Sequence, residues 1–192
     1  MTAENFRGVD VAVEFSTPAT VVGNIERLAG LGVNVVVGAT GWLEHLARVR
    51  EIVERSGIGL VWSPNYAVGM NVFARLVEEA ARLLAAEEDY GAWGWEIHHS
   101  TKKDVPSGTL LKLVETMRRA GYARTIDTSS NRAGRHPGTH EIGFDSAADT
   151  ITLRHTVRSR EGFARGALKA ARWVIGKRGF FEFSEVLCSG RG

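Results

Sequence analysis

Three valine-rich runs near the start of the chain constrain its fold most. They are "VDVAVEFS" (residues 9–16), "NVVVGAT" (34–40) and "IGLVWSPN" (58–65). Each is apolar nearly throughout rather than alternating, the pattern of a strand covered on both faces. Helical spacing fills the gaps. "TVVGNIERLAGLG" stops on Gly30 and Gly32. "WLEHLARVREIVERSG" sets Leu43, Leu46, Val49, Ile52 and Val53 at helical intervals before Gly57. Strand, helix, strand, helix, strand is the order of a parallel α/β sheet. Such sheets bind ligands at the carboxyl ends of their strands. Here those ends are "FSTP" (15–18), "GATG" (38–41) and "SPNYAVGMN" (63–71), which form one rim.

The pattern then changes. "GMNVFARLVEEAARLLAAEEDY" reads as a long helix with Phe73, Leu76, Val77, Ala80 and Leu84 as its apolar stripe. "AWGWEIHHS" alternates Trp93, Trp95 and Ile97 with other residues, as a half-buried strand does. "VPSGTLLKLVETMRRAG" reads as a helix with Leu110, Leu113, Val114 and Met117 on one face and Gly121 as its stop. Residues 123–139 are polar and turn-rich. "THEIGF" and "TITLRHTV" read as an antiparallel pair around "DSAAD", and "EGFARGALKAARWVIGKRG" as the last helix. Two lobes are expected: the first nucleotide-binding in style, the second an open sheet with a helix.

Composition narrows the class. The chain has 192 residues, enough for one large domain or two small lobes, and 44% hydrophobic with 24% charged residues is an ordinary globular balance. One cysteine, Cys188, leaves no internal disulfide and no cysteine-based zinc site. No apolar run has membrane-spanning length, and "MTAENFRGVD" lacks the basic-then-apolar order of a signal peptide. A soluble, cytoplasmic protein is expected. The net charge of +2 is too mild to argue for nucleic acid. The run from Arg154 to Arg178 holds eight Lys or Arg and one Glu. It reads first as a solvated helix face, second as a source of Arg158 or Arg160 for an anionic ligand, and last as a nucleic-acid surface, since no aromatic residues interleave the charge.

"EIHHSTKKDVPSGT" (96–109) concentrates the chemistry. Histidine is the natural acid or base near neutral pH. Successive strand residues point to opposite faces, so His98 and His99 can share one site only if the strand ends there and the backbone turns. Lys102 and Lys103 offer positive charge. "PSGT" opens a helix, whose first amides are unpaired donors at the positive end of the dipole and suit a carboxylate or phosphate. Ser107 and Thr109 add hydroxyls. Ser107 alone reads equally well as a helix cap, and the lysines alone as a solvated turn; the combination reads as a site. A metal set from His98, His99 and Asp104, with His136 or His140, has no recognised ligand spacing, and no metal is expected.

The same stretch closely resembles the signature Glu-x-His-His-x-x-Lys-x-Asp-x-Pro-Ser-Gly-Thr of the 4-hydroxy-tetrahydrodipicolinate (dihydrodipicolinate) reductase family. "DVAVEFSTP", "VVGATGW", "SPNYAVGMN", "RAGRHPGTHEIGF" and "SREGFARGALKAARWV" resemble further family segments in the same order, from about residue 9 to about residue 187. The resemblance implies reduction of a cyclic dicarboxylate by NADPH or NADH in the lysine–diaminopimelate pathway. It implies that His98 is the proton donor, that Lys102 is the cation stabilising developing charge, and that His99, Ser107, Gly108 and Thr109 hold substrate. It places Phe15, Ser16, Gly38, Ala39, Thr40, Asn65, Tyr66 and Arg160 at the cofactor. It also implies a homo-oligomer, a tetramer, with no nucleic-acid or membrane partner.

There are departures. Ala39 and Ala67 stand where the family often has Thr and Ser. The family's opening strand and Gly-x-x-Gly-x-Met-Gly pyrophosphate loop have no counterpart in the sequence. The expected fold is therefore α/β: a truncated, Rossmann-like parallel-sheet cofactor lobe from residues 1–69 and 160–192, and an α+β substrate and oligomerisation lobe with an open mixed sheet from 70–159. Weakened cofactor binding is the corresponding expectation. The competing expectation is a non-catalytic relative that binds a dicarboxylate or assembles with a full-length reductase.

Overall fold

The computed structural model describes residues 1–189. They form two compact units: Met1–Val68 together with the C-terminal segment from Glu161, and Gly69–Arg160. In chain order the first unit holds β1 (Val11–Glu14), α1 (Pro18–Gly30), β2 (Asn34–Val37), α2 (Leu46–Ser56) and β3 (Gly59–Trp62). Next come α3 (Val68–Leu84), β4 (Gly91–His98), α4 (Gly108–Arg119), β5 (Ile126–Arg132), β6 (Thr139–Asp145) and β7 (Thr150–Thr156). Then follow α5 (Glu161–Val174), β8 (Gly179–Glu182) and α6 (Phe183–Cys188).

In the first unit β1, β2, β3 and β8 form one parallel sheet in that spatial order. β2 and β3 behave as expected for strands covered on both sides, whereas β1, at the end of the sheet, leaves Val13 49% exposed. Val35 and Val37 join Val21, Ile25 and Leu28 of α1 and Val49 and Val53 of α2 in one core. Val36 and Val61 join Ala167, Ala170 and Val174 of α5, with Phe183, in another. Helix boundaries follow local chemistry. Pro18 opens α1, where its missing N–H costs nothing, and the Thr17 N–H donates to Thr20 Oγ1 at 3.3 Å. Gly57 ends α2 in the left-handed region at φ 68°, with its N–H on the Val53 carbonyl. A Cβ at Gly166 would lie 1.7 Å from the Tyr66 carbonyl oxygen, so α5 meets the end of the sheet backbone to backbone.

In the second unit β4 pairs with β5 in parallel and with β6 antiparallel, and β7 closes the order β5-β4-β6-β7. The helix α4 lays Leu110, Leu113 and Met117 into the core. Gly94 gives them room, since a Cβ there would meet Leu110 at 3.0 Å and Ile142 at 3.4 Å.

Three elements differ from the sequence reading. The polar, turn-rich stretch 123–139 contains a strand that the sequence reading did not identify: "IDTSSNR" is β5. It is an edge strand with Asp127, Thr128 and Ser129 exposed, so it carries no apolar alternation to detect. The last helix stops at Val174 rather than near 179. Gly176 takes φ 75°, the Lys177 N–H caps the Val174 carbonyl, and "GFFE" becomes the fourth parallel strand. The buried stripe of α3 is Met70, Phe73, Val77 and Ala81, while Leu76 is 53% exposed. No helix among the described residues is long and apolar enough to cross a membrane.

Candidate active site

Along β4 the even-numbered residues Ala92, Gly94, Glu96 and His98 are buried, and Trp93, Trp95 and Ile97 are half-buried. This alternation puts Glu96 and His98 on one face, where a carboxylate and an imidazole need partners. Glu96 has no solvent exposure. Its Oε1 accepts from the Ser107 N–H at 2.8 Å, the Ser130 hydroxyl at 2.9 Å and Arg132 Nη2 at 3.0 Å. Its Oε2 accepts from the Ser107 hydroxyl and lies 3.4 Å from His140 Nε2 and 3.6 Å from His98 Nδ1. The rings of His98 and His140 meet edge to face at 5.0 Å between centroids.

Burial drives the Glu96 pKa up, but the hydrogen bonds from Ser107, Arg132 and Ser130 outweigh it and bring the carboxyl down to about 2. Burial pushes His140 down to about 4, helped by the His98 charge and opposed by Glu96. Burial also lowers His98. Glu96 opposes that shift, while Lys102 and Arg132 reinforce it. The network at neutral pH is thus an ionised carboxylate, a guanidinium and two neutral imidazoles.

The strand ends at His98, and the following turn closes with the Lys102 N–H on the His99 carbonyl. His98 is 8% exposed and its Nδ1 is buried without a hydrogen bond, so Nε2 is the ring nitrogen on its open side. Gly138, at φ 132°, lies against that edge: a Cβ there would be 3.2 Å from Nε2. His99 is half-buried, with Nδ1 2.7 Å from Thr101 Oγ1. Lys102 Nζ sits 2.7 Å from Asp104 Oδ1, a contact that lowers the exposed Asp104 carboxyl below its usual range. Arg132 ties the turn to the strand by donating to the Lys102 and Asp104 carbonyls.

The start of α4 lies in the same cluster. Ser107 is its cap, accepting from the Leu110 N–H at 3.2 Å. The Ser107 hydroxyl is fully buried and engaged by Glu96, Leu110 and His140, so it does not present itself to a ligand as the sequence reading expected. The Gly108 N–H reaches Asp104 Oδ2 at only 3.4 Å. Thr109 offers both its N–H and its hydroxyl with no acceptor among the described residues. The Gly108 and Thr109 amides at the start of α4 are thus left without a strong acceptor, an arrangement that can receive an anion, with the Ser107 hydroxyl buried beneath them.

The structure assembles a second rim in the first unit. The Gly38 N–H donates to the Glu14 carbonyl at 2.8 Å, and the Ser63 N–H to Val37 at 3.1 Å, so the strand ladders run on into the loops. Phe15 is 56% exposed, and its ring lies over Gly38, where a Cβ would be 2.1 Å from it. Ser16 hydrogen-bonds buried Glu14, which also accepts from Asn24 Nδ2. Thr40 is exposed, and Asn65 turns its own side chain back to the Ala67 N–H. Two expected cofactor residues have inward roles instead. The Ala39 methyl packs in the core beside Trp42, whose Nε1 donates to the Ala39 carbonyl. The Tyr66 hydroxyl is buried between the Val37 and Val61 carbonyls, and burial holds it protonated far above the ordinary range. Arg160 is exposed immediately before α5.

The sequence reading assigned no role to Glu96, Ser130 or Arg132, and weighed His140 only as a metal ligand. Ligand atoms of Glu96, His98 and His140 do fall within 4.8 Å of one another. However, four groups from Ser107, Ser130 and Arg132 already donate to Glu96, and the guanidinium 3.0 Å away repels a cation. His99 and Asp104 lie outside this group.

Comparison with known proteins decides the family. The profile described as "Dihydrodipicolinate reductase, N-terminus" matches residues 2–66, and that described as "Dihydrodipicolinate reductase, C-terminus" matches 69–187. The chain belongs to the dihydrodipicolinate reductase family. A 4-hydroxy-tetrahydrodipicolinate reductase from Christiangramia forsetii is 35% identical over 93% of this chain and 80% of its own length. Another, from Methanosarcina mazei, is 34% identical over 93% and 73%. Among solved structures, the dipicolinate-bound dihydrodipicolinate reductase from Paenisporosarcina sp. TG-14 superposes with a TM-score of 0.85 at 21% identity. It covers 96% of this chain and 77% of that one, and bears out the α/β fold with its parallel and mixed sheets. As a family member this dihydrodipicolinate-reductase-type chain is an oxidoreductase, and residues 2–66 are its matching N-terminal domain.

Proposed function

We propose that the protein reduces 4-hydroxy-tetrahydrodipicolinate to tetrahydrodipicolinate with NADPH or NADH, in lysine and diaminopimelate biosynthesis. The hydroxyl leaves as water together with a hydrogen from the adjacent ring carbon, giving a conjugated ring; a hydride then adds to one ring carbon, and His98 Nε2 gives a proton to its neighbour. The observation that carries this reading is His98 itself. Its inner nitrogen is buried against Glu96, its outer nitrogen is on the open side, and Lys102 and the α4 start adjoin it. A neutral-leaning imidazole is a strong acid once protonated, which suits proton donation. Lys102 supplies positive charge to a dicarboxylate, and the Gly108 and Thr109 amides with the Thr109 hydroxyl hold one carboxylate. His99 stands beside them.

The first-unit rim fits a nicotinamide nucleotide. Phe15 offers an exposed flat ring over a residue without a side chain, and the 38–40 backbone and Thr40 lie at strand ends. Bound there, the nucleotide supplies the hydride. Phe15, Ser16, Gly38, Thr40 and Asn65 would hold it, with the backbone of Ala39 and Tyr66, and Arg160 supplies a cation.

Turnover tests the reading. The chain should oxidise NADPH or NADH, followed at 340 nm, when freshly generated 4-hydroxy-tetrahydrodipicolinate is added. No oxidation, with pyridine-2,6-dicarboxylate still bound, would leave a dicarboxylate-binding relative instead. Assembly as a homo-oligomer through the mixed sheet is part of the proposal, since that sheet leaves Trp93 and Trp95 only half-buried. Light scattering reads it, and a tetramer is expected.

A further inference from the structure

Glu96 touches nothing outside the protein, yet it organises every group in the cluster. Its two oxygens collect donors from three separate segments: Ser107 at the start of α4, Ser130 and Arg132 on β5, and His140 on β6. Strand pairing enforces this, because the register sets Glu96 opposite Ser130 on one side and His140 on the other. Arg132 then extends the network to the Lys102 and Asp104 carbonyls.

We propose that the buried Glu96–Arg132 ion pair is the positioning element of the site, holding the inner edge of His98 so that Nε2 is presented outward and setting how readily that ring holds a proton. This rests on His98 being the proton donor. The charged and titratable groups facing His98 come from every neighbouring segment. They are Glu96 on its own strand, His140 on β6, Arg132 on β5, and Lys102 and Asp104 in the turn; His155 on β7 faces His140 in the strand pairing. Of these, Glu96 and, less strongly, Asp104 favour the charged ring, while Lys102 and Arg132 disfavour it. The two halves of one ion pair therefore pull the imidazole in opposite directions, so removing one half or the other should move the ring's titration in opposite senses.

The test is a histidine-selective NMR titration of the full chain. It compares wild type with Glu96→Gln, Arg132→Met and the double variant, which leaves no unpaired buried charge and keeps the comparison possible if a single variant fails to fold. His98 should titrate at lower pH in Glu96→Gln, at higher pH in Arg132→Met, and near wild type in the double variant. The basic limb of the kcat/KM profile should move with it, so that Glu96→Gln loses about tenfold at pH 8 and progressively less once the pH falls below the point where wild-type His98 titrates. Glu96→Asp should restore the wild-type limb in part. A His98 titration unmoved in the folded variants overturns the inference. Opposite shifts of His98 with an unmoved pH–rate limb uphold the ion pair's control of the ring and instead remove His98 as the proton donor.

Discussion

The two units solve different problems at their strand ends. In the first, the ends are held by apolar packing, backbone bonds and the hydrogen bonds that Ser16 and Asn24 give Glu14, and Phe15 and Thr40 are turned outward. In the second, an ionised carboxylate, a guanidinium and imidazoles are taken out of water together. The lesson is physical. Holding a flat cofactor needs shape and exposed backbone, which a parallel sheet end already supplies. Moving a proton needs a titratable group in a low-dielectric setting whose charge is controlled, which a buried charge network such as that around Glu96 supplies.

Short of replacing His98 itself, the largest effect should come from crowding its outer edge. Gly138→Ala adds a Cβ within 3.2 Å of Nε2 at a backbone φ of 132°. Displacing the ring should reduce kcat/KM by about 100-fold while cofactor affinity stays constant. An unchanged rate would mean that this edge of His98 is not where chemistry occurs.

Acid should separate the two units next. The folded pKa of Glu96 is depressed from 4.5 to about 2, so its contribution is fully present above pH 4.5 and is lost as pH falls through 2. The contribution is about 3 kcal/mol. His140 adds a further loss between pH 6.5 and about 4, where the unfolded chain binds the proton first. Amide protection, corrected for intrinsic exchange, should fall in β4–β6 before it falls in β1–β3. Simultaneous loss in both sheets would break the contrast.

How much of this was legible beforehand follows the same division. The parallel sheet could be read because strands covered on both faces are apolar without interruption, and β1, β2 and β3 lie within the runs quoted for them. The His98–Thr109 stretch could be read because it is contiguous. Glu96's role could not, since its partners Ser130, Arg132 and His140 are remote in sequence and meet it only through strand register. The strand that carries two of them, β5, is polar and exposed. It shows nothing in the sequence of the ladder that places it. Ser107 was visible as a cap but not as a buried support, because burial depends on where β4 lies beneath it.

Smaller effects refine the contrast. Thr109→Val removes one donor to the carboxylate and should weaken pyridine-2,6-dicarboxylate binding about tenfold by calorimetry, without changing NADPH binding. Affinity within twofold of wild type would take Thr109 out of the anion site. Phe15→Ala should do the reverse, raising the NADPH dissociation constant a few-fold. Because Phe15 is exposed, stability should stay within about 0.5 kcal/mol. A large loss of stability would mean that the ring is structural.

The most direct test of the account is His98→Gln beside wild type, with steady-state NADPH oxidation and dicarboxylate affinity measured on the same preparations. The account predicts a fall in kcat of about 100-fold to 10,000-fold with dicarboxylate affinity nearly unchanged. An unchanged kcat would contradict it, because the proton would then come from elsewhere and the buried network beneath His98 would have no part in the reaction.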